Sequence, residues 1–167
     1  MTGMDDDRGV NAVGDIPVAH TPPGGYGAEM PRPILAGSTD PLVPGAPDLR
    51  GTWSCVDVRT GEQLLPRESP IWSHVERVEQ AGDRVVVTAG GIVHDMRADG
   101  SYDNGVHDVM ASDYTTPIVV AASYEDGVLV LRPQGAPGVE VRRWREGPHM
   151  LWEYHTMFTA RLERQAD

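Results

Sequence analysis

From Gly51 onward, apolar residues recur at every second position in short runs, and turn residues separate the runs. That spacing is the period of a half-buried strand rather than of an amphipathic helix. It predicts strands over Thr52–Val58, Ile71–Glu79, Arg84–Thr88, Ile92–Arg97, Tyr102–Val109, Pro117–Tyr124, Val128–Arg132, Val139–Arg145, His149–His155 and Phe158–Arg164. The separators are turn chemistry, as in Arg59-Thr60-Gly61, Ala81-Gly82-Asp83, Gly90-Gly91, Ala98-Asp99-Gly100 and Glu125-Asp126-Gly127. His155–Met157 carries no turn residue, so a bend within one long strand is an alternative there. No stretch joins helical periodicity to caps. The expected fold is all-β, an up-and-down antiparallel barrel of about eight to ten strands, because closure removes the two edges an open sheet would expose. A barrel of that size is either packed solid or holds one small ligand.

The first 49 residues differ. Met1–Leu49 carries eight of the fourteen prolines, eight of the nineteen glycines, and seven acids against two arginines. Such a stretch cannot sustain a helix or a ladder, so residues 1–49 read as a flexible extension and residues 50–167 as the barrel domain. Its apolar side chains offer a second reading, a strap or lid covering an opening of the barrel, anchored by Tyr26, Met30, Ile34 and Leu35.

Alternation also sorts the strand residues by direction. With Asp95 and Arg97 outside, Ile92, His94 and Met96 face inward; with Glu153 outside, Met150, Trp152 and Tyr154 do. Arg77 and Glu79 outside would place Trp72, His74 and Glu76 inside, although Ile71 and Val75 argue for the opposite phase. The phase of Tyr102–Val109 is ambiguous, with Tyr102 and Asn104 sharing one face. The inward set is rich in residues that carry a polar tip, whereas a solid core would draw on more than the single Phe158. A cavity for an apolar, oxygenated small molecule follows, walled by Trp53, Trp72, Met96, Tyr102, Asn104, Met150 and Trp152, with Tyr154, His94 and His74 as polar groups able to act on it.

Charge removes several alternatives. All fourteen basic residues are arginines, against 25 acids, for a net charge of −11. Nucleic acid and anionic membrane are therefore poor partners. Without lysine there is no Schiff base and no P-loop amine. Cys55 is the sole cysteine, so no intrachain disulfide or thiolate zinc site can form. No apolar run approaches a membrane span, Met1–Arg8 is acidic rather than signal-like, and a cytoplasmic location is expected. The six histidines show neither His-x-His nor His-Glu-x-x-His spacing, and no nucleophile elbow or phosphate loop occurs. Neither metal nor cofactor is expected.

Leu49-Arg50-Gly51-Thr52-Trp53 resembles the Gly-x-Trp signature opening the first strand of lipocalins. The run from Gly127-Val128-Leu129-Val130 through Val141-Arg142-Arg143-Trp144 to Thr159–Arg164 is similar to the last hairpins of fatty-acid-binding proteins. Both belong to the calycin superfamily, and the resemblance implies a lipocalin-like barrel over Leu49–Gln165. Two features depart from it. Thr60–Pro70 is too short for the helical lid of fatty-acid-binding proteins, and the Arg-x-Tyr pair that grips a carboxylate there reads Arg161-x-Glu163. In outline the chain also looks like small bacterial β-barrel cyclases of polyketide biosynthesis, which pair a barrel with a covering N-terminal segment. That resemblance implies a cofactor-independent, pericyclase-type cyclase promoting an intramolecular cycloaddition of a linear substrate. The alternatives are a lipocalin-like carrier or sensor of an apolar small molecule, and a haem barrel related to nitrobindin with His155 on a late strand. The nitrobindin opening, Gly-x-Trp-x-Gly-x-Gly, is not matched, since Gly51-Thr52-Trp53 runs on into Ser54-Cys55-Val56. A monomer and a homodimer are both open.

Overall fold

In the computed structural model, which describes residues 12–166, the chain from Gly51 builds one antiparallel sheet that curls into a nearly closed barrel. Its strands are β1 (Gly51–Thr60), β2 (Gln63–Leu64), β3 (Val75–Ala81), β4 (Arg84–Ala89), β5 (Ile92–Arg97), β6 (Val106–Val109), β7 (Pro117–Glu125), β8 (Val128–Pro133), β9 (Val141–Glu146), β10 (His149–Tyr154) and β11 (Phe158–Arg164). The order around the wall is β5-β4-β3-β1-β11-β10-β9-β8-β7-β6, with β2 a short flap on β1. Among the described residues, two short 3-10 turns, Val13–Asp15 and Pro70–Ser73, interrupt this all-β architecture. No helix among the described residues is long and apolar enough to cross a membrane.

Two expected strands change for local reasons, and one doubtful break between strands is decided. Pro70 and Ser69, whose side chain accepts the Ile71 N–H, wind residues 70–73 into a 3-10 turn, so β3 starts only at Val75. The stretch Tyr102–Val109 shortens to β6 because Asp99 ties Ser101 and Asn104 into a turn, with Asn104 Nδ2 donating to Asp99 Oδ2 at 2.7 Å. His155–Met157 proves to be a true turn rather than a bend, with His155 at φ 49° and the Met157 N–H donating to the Tyr154 carbonyl.

The two ends of the barrel are unlike. At the end carrying the β3–β4, β7–β8 and β9–β10 turns, Leu49, Trp53, Val85, Leu129, Met150 and Leu162 are all fully buried. Gln80 seals that end, accepting the Leu49 N–H at 2.6 Å and donating to the Pro47 carbonyl and the Tyr124 hydroxyl. A boundary between residues 49 and 50 therefore cuts through the core, since Leu49 is part of the plug. The opposite end, ringed by the β4–β5, β6–β7, β8–β9 and β10–β11 connections, stays hollow.

Residues 12–50 are docked against the barrel instead of trailing from it. Val13 and Leu35, with Ile16, Ala19, Tyr26 and Ile34 beside them, cover the outward faces of Ala81, Val86 and Val93. Backbone groups of the segment are satisfied by wall side chains. Arg84 donates to the carbonyls of Val13, Ile16 and Pro17, and Glu79 accepts from the Ile34 and Leu35 amides. Arg84 is itself held by Asp95 through two bonds of 2.8 and 2.6 Å, both side chains almost wholly buried. Proline and glycine stop the segment from forming a ladder, so the wall supplies the partners that a ladder would have supplied.

Candidate functional site

The hollow end encloses a cavity of about 400 Å³. Alternation on β4, β5, β7 and β8 turns Val87, Ile92, Met96, Ile118, Val120 and Leu131 into it, giving an apolar bowl. Met110 and Tyr154 line its rim and are each 39% exposed, so the bowl opens toward solvent on that side.

One wall is polar. Glu76 on β3 is fully buried, and Arg143 on β9 reaches it through Nε at 2.8 Å and Nη2 at 3.1 Å. His74 Nε2 lies 2.8 Å from Glu76 Oε1. An ionised carboxylate only accepts, so this nitrogen carries the proton and donates. Burial pushes the Glu76 carboxyl upward, but the Arg143 charge and the bonds from His74 and Arg143 outweigh it, holding it at about 2. Glu76 and Arg143 thus form a neutral pair set into this wall. The His74 ring stacks on Trp152 with centroids 4.2 Å apart, and Arg143 lies over the same indole at 5.4 Å. Tyr154 and Phe158 stack on each other and meet the edge of Trp152, which continues the aromatic surface to the rim.

Trp152 itself is 7% exposed, and its indole N–H finds no acceptor among the described residues. A buried donor without a partner costs about 1–3 kcal/mol. His94 also lines the cavity, with Nε2 donating to the Val109 carbonyl at 3.0 Å. Burial lowers its pKa, which favours the neutral ring and leaves Nδ1 as an acceptor.

Of the side chains assigned to the cavity from sequence, the structure gathers His74, His94, Met96, Trp152 and Tyr154 around it. Trp53 and Met150 point inward but belong to the plug at the closed end; the Trp53 indole donates to the Leu49 carbonyl at 2.9 Å. Trp72 is displaced by the 3-10 turn, where its indole N–H donates to the Leu65 and Pro66 carbonyls and Arg67 covers its ring. Tyr102 and Asn104 lie exposed in the β5–β6 turn, away from the cavity. Tyr26, Ile34 and Leu35 anchor the extension on the outer wall, Met30 is half-buried outside that cluster, and no described residue before His74 lines the cavity. His155 sits in the β10–β11 turn rather than in the cavity, which leaves a haem without an axial ligand from that residue. Among the described residues no three His, Cys, Asp or Glu side chains are grouped to hold a metal ion.

The missed residues are Arg143 and, in its role, Glu76. In Val141-Arg142-Arg143-Trp144-Arg145 the charged residues occupy both phases, so alternation could not single out the one that turns inward. The only available signal was the inward option for Glu76, a lone acid needing a cationic partner. Arg161 and Glu163, at the carboxylate-gripping positions suggested by the calycin resemblance, are exposed on β11.

No family model matches the sequence, and no curated protein sequence matches it. The structure is similar to a solved one described as human cRBP IV, with a TM-score of 0.53 and 14% identity over 71% of this chain and 98% of that chain. This supports a calycin-like fold for the up-and-down barrel read from the strand pattern.

Proposed function

We propose that the barrel is a carrier or sensor that binds one uncharged, largely apolar small molecule with an oxygen at its polar end. The observation that carries this is a cavity of about 400 Å³ with a mostly apolar lining, whose one buried charge pair, Glu76 and Arg143, neutralises itself. A ligand hydroxyl could donate to Nδ1 of His94, whose ring burial keeps neutral. Arg143 is already neutralised by Glu76, so a ligand carboxylate would enter the cavity without a free counter-charge.

A carrier fits this wall better than the cyclase expected from the sequence. Cycloaddition is accelerated by a donor aimed at the reacting carbonyl. Yet the Nε2 protons of His74 and His94 are engaged by Glu76 and Val109, and Tyr154 stands at the exposed rim.

Titration of the full chain with Nile red, a neutral dye with a carbonyl acceptor, followed by displacement, tests the reading. Lauryl alcohol should displace the dye about tenfold better than laurate, a difference of about 1.4 kcal/mol. Glu76→Gln, which leaves the Arg143 charge without its partner, should erase most of that advantage. Laurate as the better competitor, or no dye binding, would overturn the proposal. Nile red and alcohol recovered unchanged by chromatography and NMR would support carriage over conversion.

A further inference from the structure

β5 and β6 end the path of paired strands, and no ladder joins them. Every other neighbouring pair around the wall is held by consecutive backbone bonds. The seam is bridged by the Arg97 N–H to the Asn104 carbonyl at its lower end and by His94 to the Val109 carbonyl higher up.

The extension crosses this seam on the outside. Ala19 donates its N–H to Asp95 on β5. The Thr21 hydroxyl accepts the Val93 N–H of β5 at 2.9 Å, while the Thr21 N–H donates to Asp108 of β6 at 2.9 Å. One residue thus bonds both edges. Farther along, the Tyr26 N–H donates to the Gly91 carbonyl, and the Tyr114 hydroxyl, from the β6–β7 loop, donates to the Gly90 carbonyl. Gly91 has to be glycine here: φ is +90°, and a Cβ would lie 2.6 Å from the Tyr114 hydroxyl oxygen. The upper end of the seam is also the cavity rim, since Gly90, Met110 and Ala111 line the cavity.

We infer that segment 19–26 is a removable staple on the β5–β6 seam, and that the bound small molecule enters and leaves when the seam parts and widens the opening at the rim. This rests on the ligand-binding reading above. Parting here breaks a few side-chain and strap bonds, whereas opening the wall anywhere else breaks a ladder. No residue of the staple lines the cavity, so it sets the barrier and leaves the affinity alone.

Stopped-flow binding of Nile red to the full chain, combined with amide hydrogen exchange, tests this. Thr21→Val keeps shape but removes the hydroxyl that holds Val93, and Asp108→Ala removes the acceptor on β6. Each should raise the association and dissociation rates together by about three- to tenfold, as expected for the loss of about one hydrogen bond, with Kd unchanged. Exchange should quicken in 92–97 and 106–109 and stay slow in β9–β11. Thr60→Val is the control, because the Thr60 hydroxyl ties the Met157 carbonyl at the far side of the rim; its rates should match the parent chain. Faster exchange with unchanged dye rates, or an equal acceleration by Thr60→Val, would overturn the staple while leaving ligand binding intact. A parent chain that does not bind the dye would overturn both. Were Asp108→Ala not to fold, Thr21→Val alone decides, since it leaves every barrel residue in place.

Discussion

Replacing Glu76 by Gln keeps its shape and deletes its charge, which isolates the buried pair with Arg143. In the folded protein Glu76 is fully buried and Arg143 retains 5% of its exposure. Two charge-assisted bonds of 2.8 and 3.1 Å join them. Removing one partner of a buried pair typically costs about 3–5 kcal/mol, because the other charge is left without compensation. Arg143 borders the cavity, where water can partly solvate it in the ligand-free protein, so the lower bound of about 3 kcal/mol is expected. For a chain of this size that corresponds to a fall in Tm of about 6–12 °C. Urea unfolding followed by tryptophan fluorescence measures it directly. The double variant Glu76→Leu with Arg143→Met removes both charges together and should recover most of the loss, to within about 1 kcal/mol of the parent chain. A single-variant cost under about 1 kcal/mol, or a double variant that merely adds two single costs, would show that the two charges are separately hydrated and would refute the neutral-wall argument.

The same pair predicts a pH signature. Because the Glu76 carboxyl is held at about 2 against an ordinary 4.5, its contribution is complete above about pH 4.5 and is lost as pH falls toward 2. Glu76→Gln should flatten the stability curve of the barrel in that window, and an unchanged acid slope would contradict the assignment. Leu35→Ala, in the docked extension at 5% exposure, should cost about 2 kcal/mol or more in urea unfolding, whereas an extension free in solution would register nothing. Gly105→Ala should be among the most damaging single changes, because the new Cβ would lie 2.0 Å from the Val120 carbonyl oxygen, a backbone atom that cannot step aside; a loss below about 1 kcal/mol would mean that β6 is not held against β7 as described.

The strand pattern by itself determined the barrel. Ile92–Arg97 and Phe158–Arg164 are bounded as the alternation and turns indicate, and His94, Met96, Trp152 and Tyr154 face inward because a period of two leaves each side chain only two directions. Alternation cannot tell how far along the barrel an inward residue lies. Trp53 and Met150 therefore read as cavity residues, although packing at the closed end makes them the plug. Local hydrogen bonding overruled the pattern where it was weakest, at Trp72 beside Pro70 and at Tyr102 and Asn104 around Asp99. Arg143 could be placed only by its partner, 67 residues away in sequence, since a charge turns inward only where another charge waits for it. The extension was legible as unable to form a ladder. Its course along the outer wall depends on Arg84, Glu79, Asp95 and Asp108 offering bonds to its backbone, and those groups come together only once the barrel has closed.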